Sequence, residues 1–193
     1  MNGELSAPAR RLLLSTARGA IERWLVRAAL ADLACADPEV MQPRGAFVSL
    51  KCRARGTLRG CVGRTDTSEP LLTVVALSAI AAAGNDPRFP SVTADELPSL
   101  ALQISVLGPL QPVRPAQVQV GVHGLVVGHL GRRGVLLPQV ARERGWDRET
   151  FLSWTCRKAG LPPDTWRDPD CRIDAFTAFV FGDDEELPEK PPS

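Results

Sequence analysis

The spacing of apolar residues changes period several times along the chain, and that alternation restricts the fold more than any single motif does. From residue 9 to about residue 34, Leu13, Ala17, Ala20, Ile21, Trp24, Leu25 and Ala28 recur on one side of a helix, and Asp37-Pro38 lies beyond its end. Phe47-Val48-Ser49-Leu50-Lys51-Cys52 and Thr57-Leu58-Arg59-Gly60-Cys61-Val62-Gly63 then read as two strands joined by a turn at Arg55-Gly56. A helical pattern returns between Leu71 and Gly84, with Ser68-Glu69-Pro70 as start signal and Gly84 as stop. Thr93-Ala94-Asp95-Glu96 is a capping-box pattern for one short turn before Pro98. Leu100, Leu102, Ile104 and Val106 alternate as in a strand.

Past a Pro-rich crossing at residues 109–115, runs at 118–122, 125–130 and 135–137 predict short strands. The turns between them are Gly121-Val122-His123-Gly124 and Gly131-Arg132-Arg133-Gly134. A short helix from Pro138 to Arg144 is ended by Gly145, and Asp147 caps another that runs to Gly160. Ile173, Ala175, Thr177, Phe179 and Phe181 alternate in a closing strand. Helices and hairpins in this order predict an α+β fold, a mixed and mostly antiparallel sheet with flanking helices, rather than a doubly wound parallel sheet. Residues 8–182 form a single domain in this reading, and the Pro-rich crossing marks a place where two subdomains can divide. Residues 1–7 are an N-terminal tail, and 183–193 an acidic, Pro-rich, disordered tail.

With 193 residues the chain is long enough to bury roughly 70% of its extended surface without disulfides or metal. The longest apolar stretch, Leu71 to Gly84, falls short of the roughly 20 residues that a bilayer-spanning helix needs. The 23 basic and 22 acidic side chains leave a formal charge of +1, which argues against nonspecific attraction to nucleic acid or anionic lipid. No charged leader precedes an apolar core at the N-terminus, and five cysteines are an odd number. Reduced thiols and a cytoplasmic location are the expectation.

The neutral total hides a local asymmetry. Arg44, Lys51, Arg53, Arg55, Arg59 and Arg64 occupy a stretch without one acidic residue, which suits a small anionic ligand. At its centre, Cys61 stands between Gly60 and Val62-Gly63, and in an extended strand Arg59 and Cys61 share a face. A neighbouring guanidinium favours the thiolate, which is the nucleophile. The plainer alternatives are a cysteine packed as a small apolar residue and glycines needed only for a bulge or tight hairpin. A thiol nucleophile calls for a base, and the chain holds two imidazoles, His123 and His129; the Gly-flanked turn makes His123 the better candidate, against the alternative of an idle turn histidine. Asp86 and Arg88 sit in a Pro-bracketed connector that holds polar groups toward a cleft, or else serve as a cap or a simple ion pair. No C-x-x-C, H-E-x-x-H, G-x-S-x-G, P-loop or dinucleotide motif is present, so neither a metal nor a cofactor is expected. Trp146, Trp154 and Trp166 could be mistaken for a stacking platform, but the first two flank or lie in an amphipathic helix, where core packing is the default.

Leu58-Arg59-Gly60-Cys61-Val62-Gly63 followed by Asp86-Pro87-Arg88-Phe89-Pro90 resembles the signature pair of the AMMECR family, whose prokaryotic members include AmmeMemoRadiSam system protein A. Glu96-Leu97-Pro98, Ile104-Ser105-Val106-Leu107, Gly121-Val122-His123-Gly124-Leu125 and Leu136-Leu137-Pro138-Gln139-Val140-Ala141 extend the likeness. The Trp146-Asp147 and Cys156-Arg157-Lys158-Ala159-Gly160-Leu161 segments do so too, and the resemblance spans about residues 8 to 182.

The resemblance implies a larger and a smaller lobe around a cleft near the Cys61 segment, and a Memo-like protein and a radical SAM protein as partners. It raises Cys61 and Arg59 as site residues, with Gly60, Gly63, Asp86 and Arg88 shaping the substrate site. His123 carries over less directly, because the family's G-x-x-G-L segment can hold Asp there. The resulting expectation is a cysteine-dependent enzyme or enzyme component that binds a small anionic substrate, with Cys61 as nucleophile and His123 assisting proton transfer. The alternative is a noncatalytic interaction module of the same system.

Overall fold

The computed structural model of the chain describes residues 5–33, 35–65 and 68–183. Among them lie five α-helices and two four-stranded sheets whose pairings are antiparallel, an α+β fold. The chain divides into two compact units, one running up to Val106 and resumed from Phe179, the other Leu107–Ala178.

In the first unit, helix α1 (Ala7–Leu25) begins where the Ser6 hydroxyl accepts from the Ala9 amide, and it buries Ala9, Leu13, Ala17, Ala20 and Ile21. Leu5 is buried and Ser6 caps, so residues 5–7 belong to this unit rather than to a tail; residues 1–4 lie outside the described part. The helix stops nine residues short of the expected 34, because the buried stripe ends at Ile21 and Val26 is 72% exposed. Arg27, at φ 56°, turns the chain out of the helix as its amide reaches Trp24 O.

A short α2 (Pro38–Met41) leads to β1 (Ala46–Cys52) and β2 (Leu58–Arg64), which pair antiparallel as the hairpin pattern predicts. Helix α3 (Leu71–Gly84) has the expected bounds and is apolar on every side. It must therefore be covered all round, and it buries nine side chains, among them Leu71, Val75 and Ala79. Its caps differ from the reading of the sequence: Pro70 holds the N-cap with no side-chain bond, and Asn85 holds the C-cap. Gly84 is needed for another reason, since a Cβ there would lie 2.4 Å from the Trp24 ring. Strand β3 (Leu100–Leu107) pairs with β1 on the side away from β2.

The second unit holds β4 (Gln111–Pro112), β5 (Gly124–His129), β6 (Arg132–Leu136), α4 (Pro138–Arg144), α5 (Arg148–Lys158) and β7 (Arg172–Phe176), with strand order β4-β7-β5-β6. Leu125, Val127, Ile173 and Ala175 on one sheet face form its core with Phe151, Leu152 and Cys156 of α5. Residues 118–122 are not a strand. Only Val118 of that run is buried, and the amides of Val122 and His123 fold back on Gln119 O in a turn with Gly121 at φ 83°.

The closing strand is broken at Thr177, with β7 in the second sheet and β8 (Ala178–Gly182) beside β3 in the first, whose order is β2-β1-β3-β8. Asp183, read from the sequence as the start of a disordered tail, is fixed: its carboxylate accepts from Arg18 at 2.5 Å, Arg53 at 3.0 Å and the Leu102 amide at 2.9 Å. The remainder of that segment, 184–193, lies outside the described residues. No helix among the described residues is long and apolar enough to cross a membrane.

Candidate functional site

Strand β2 is an edge of its sheet, so alternate main-chain groups have no strand partner. At Cys61 those groups are taken by the connector after α3. The Cys61 amide donates to Asp86 Oδ2 at 2.9 Å, and Arg88 Nη2 donates to Cys61 O at 3.4 Å. Asp86 is itself clasped by Arg88, through Nε to Oδ1 at 2.9 Å and Nη2 to Oδ2 at 2.6 Å, while the Arg88 amide reaches Oδ1 at 3.2 Å. The pair therefore stands in for a missing neighbouring strand. The Asp86 side chain is buried at 3% exposure, whereas that of Arg88 is 48% exposed.

The electrostatics follow from this clasp. Hydrogen bonds from Arg88 hold the Asp86 carboxyl well below the usual carboxylate range against the opposing effect of burial, and the Cys61 and Arg88 amides add to the lowering. The same bond pushes the Arg88 guanidinium up, and the charge of a Cys61 thiolate acts in that direction too.

Pairing with β1 sets Cys61 opposite Ser49, and β3 sets Gln103 on the other side of Ser49. The three form a polar row across the sheet, on the face opposite Val48 and Leu50. The Ser49 hydroxyl donates to Cys61 Sγ at 3.2 Å. Ser49 is buried and Cys61 half-buried. Neither Ser49 nor Gln103 was singled out from the sequence; the available signal was a serine flanked by Val48 and Leu50 in an alternating strand, but its partner depends on register.

The β1–β2 register slips at Arg59, where Leu50 pairs with Gly60 and Lys51 with Leu58, so the strict alternation that would set Arg59 on the Cys61 face is broken, and its guanidinium is occupied. Nε and Nη2 donate to Glu96 Oε1 and Oε2 at 2.6 and 3.0 Å, and Nη1 to Pro90 O at 2.8 Å. Arg59 thus fastens the 90–96 segment to β2 as a bidentate clamp. The two glycines are dictated by close approach. A Cβ on Gly60 would lie 2.2 Å from Ala82 O of α3, and one on Gly63 would lie 2.3 Å from Ala46 O and 2.4 Å from the Phe47 ring.

Three cations of the basic stretch meet carboxylates from elsewhere in the chain: Arg53 at Asp183, Arg59 at Glu96, and Arg64 at Glu69 at 2.6 Å. Burial lowers the pKa of Arg44. His123 belongs to the second unit, where its Nδ1 accepts from the Gln119 amide at 3.2 Å, and it takes no part in the bonds that join Cys61, Ser49, Asp86 and Arg88. No three His, Cys, Asp or Glu side chains among the described residues are grouped to hold a metal ion.

The AMMECR1 family model matches residues 14–181, which includes both signature segments, all of the second unit and most of the first. The chain belongs to the AMMECR1 family. A protein of Methanothermobacter thermautotrophicus is 44% identical over 188 residues, 93% of this chain and 97% of its own. One from Thermococcus gammatolerans is 44% identical over 163 residues, 80% of this chain and 78% of its own. The crystal structure of an uncharacterised protein from Pyrococcus horikoshii superposes with a TM-score of 0.83 at 39% identity, covering 89% of this chain and 90% of that one. In this AMMECR1-family chain the two signature segments thus meet in space, with the Asp86-Arg88 segment clipped onto the exposed edge of the Cys61 strand.

Proposed function

We propose that this AMMECR1-family protein is a thiol-dependent enzyme component whose reacting group is Cys61. The observation that carries the reading is the Ser49 hydroxyl donating to the sulfur of a half-buried thiol, 3.2 Å away, on a strand whose main chain is held by a buried carboxylate. The hydroxyl orients the sulfur, and the guanidinium of Arg88 stands on the carbonyl of the same residue. Attack of the sulfur on a carbonyl carbon of the substrate would form a carbon–sulfur bond as the carbonyl π bond opens onto its oxygen, with the thiol proton passing through solvent to that oxygen. The substrate class is a small anion: Arg59 is spent on Glu96 and Arg88 on Asp86, so Lys51, on the Ser49 face of β1, would meet the negative group. The family likeness supports a Memo-like protein and a radical SAM protein as co-workers.

One observation favours a second reading. Arg59 and Arg88 both already hold carboxylates, as in a frame built for rigidity, and a rigid edge strand suits a noncatalytic docking module.

Iodoacetamide labelling of the folded protein, read cysteine by cysteine over a pH series, separates the two. Cys61 is expected to label fastest, and Ser49→Ala to slow it. Cys156 and Cys171 should lag, because burial pushes both thiols up, Cys171 to about 11, so that its labelling accelerates only as pH approaches that value. A Cys61 that stays unmodified until the protein unfolds would sink the thiol reading and leave the docking module.

A further inference from the structure

The second unit contains an open cavity of about 470 Å³, within the size range of small-molecule sites. Its lining combines an apolar wall with two unlike charges. The wall is formed by Val113, Ile173, the indole of Trp166 and the thiol of Cys171. Trp166 is held in place from behind, its Nε1–H donating to Ser153 Oγ at 3.2 Å, and the Val113 amide bonds to Ile173 O at 3.0 Å. The wall is therefore preformed. Burial first, then the Cys156 and Asp168 charges, push the Cys171 thiol up to about 11, so it remains a neutral, apolar surface near pH 7.

The lining charges are Arg114, Arg167 and Asp168. Arg167 is committed, stacked 4.1 Å over the Trp166 ring and paired with Glu149 at 2.8 Å. Arg114 is exposed and has no ionic partner among the described residues. Asp168, at 45% side-chain exposure, accepts from the Asp170 amide at 2.9 Å, and its nearest basic group is His129 Nε2 at 3.8 Å. One cation and one anion therefore remain available beside an apolar wall. A hydrophobic anion would match Arg114 and oppose Asp168, and a hydrophobic cation would do the reverse. A ligand carrying both charges at one end of an apolar body satisfies all three features.

We propose that this cavity binds a free α-amino acid with an apolar side chain, its carboxylate toward Arg114, its ammonium toward Asp168, and its side chain against Val113, Ile173 and Trp166. The site is independent of Cys61 and stands or falls without it. Exposed ion pairs contribute up to about 1 kcal/mol each, so losing either charge of the ligand weakens binding by up to about fivefold.

The test uses the folded full-length protein and three probes with the same phenyl group: L-phenylalanine, 3-phenylpropanoate, which lacks the ammonium, and phenethylamine, which lacks the carboxylate. The reporter is the indole N–H resonance of Trp166, assigned through Trp166→Phe. L-phenylalanine is expected to shift that resonance saturably at millimolar concentration, and each analogue to bind several-fold more weakly. Arg114→Gln should erase the advantage over phenethylamine and leave that over 3-phenylpropanoate, and Asp168→Asn should do the converse. The proposal is overturned if L-phenylalanine leaves the resonance unmoved, if all three probes bind alike, or if the shifts appear at Trp146 and Trp154 instead.

Discussion

Gly60→Ala is expected to lower the unfolding free energy by about 3 kcal/mol, the upper end of what overpacking a core costs. The added methyl would stand 2.2 Å from Ala82 O and 3.1 Å from the carbonyl carbon behind it. Those are main-chain atoms of α3, and no side-chain rotation relieves the contact. Either α3 lifts from the sheet, exposing part of a helix that is apolar on every side, or β2 moves outward and strains the bonds that Cys61 makes with Asp86 and Arg88. Gly19→Ala is the control. Its Cβ meets nothing within 4 Å, it lies inside α1, and alanine there should stabilise by about 0.5 to 1 kcal/mol. Urea unfolding of the two variants beside the parent measures both signs. A Gly60→Ala variant within about 1 kcal/mol of the parent would show that the sheet yields easily, and the close packing of α3 on β2 would lose its claim to position the site.

The elements that could be read from the sequence are those whose local pattern is also their tertiary pattern. The β1–β2 hairpin, α3 and β3 each carry a period, a breaker and a burial face that agree. Where one period serves two structures, the pattern runs on through the break. Ile173 to Phe181 alternates without interruption, yet the chain changes sheets at Thr177, and nothing in a period of two marks a change of sheet. The helical spacing of α1 likewise continues past Leu25 through Ala28, although Val26 and Ala28 are exposed.

In the site, the signature drew attention to Cys61, Arg59, Asp86 and Arg88, and the bonds among Cys61, Asp86 and Arg88 show the two segments to be one construction. What could not be read was who answers each charge. Glu96 lies 37 positions from Arg59, and Asp183 lies 130 from Arg53, so a stretch that is basic in sequence is partly neutralised in space. Ser49 was hidden for a related reason: twelve residues and a register separate it from Cys61, and a shift by one position would turn its hydroxyl to the other face.

Asp86→Asn should be the most informative change at the site. The carboxylate accepts four hydrogen bonds, from the Cys61 and Arg88 amides and from Arg88 Nε and Nη2. Asparagine keeps the shape but offers one acceptor oxygen, and its NH2 group would face donors. Breaking a buried ion pair costs about 3–5 kcal/mol, and the half-exposed Arg88, which water can resolvate, reduces that to about 2–3 kcal/mol here.

The pH dependence gives the loss a signature that a simple packing defect lacks. The Asp86 carboxyl is held below its ordinary 3.8 chiefly by Arg88, so the unfolded chain takes up its proton first as pH falls. Its contribution is complete above the ordinary value and disappears as pH drops from there through the depressed value of the folded state. The parent should therefore lose stability steeply in acid, while Asp86→Asn, weaker at neutral pH, should follow a shallower slope and converge on the parent. Parallel slopes for the two proteins would place the acid sensitivity away from Asp86 and overturn its assignment. Arg88→Leu separates the two partners of Asp86. If Asp86 acts chiefly through the Cys61 amide, this variant costs less than Asp86→Asn and leaves most of the edge of β2 in place. If the two cost the same, the ion pair and the strand clip are a single unit, and the two signature segments are tied to each other through Asp86 and Arg88 together.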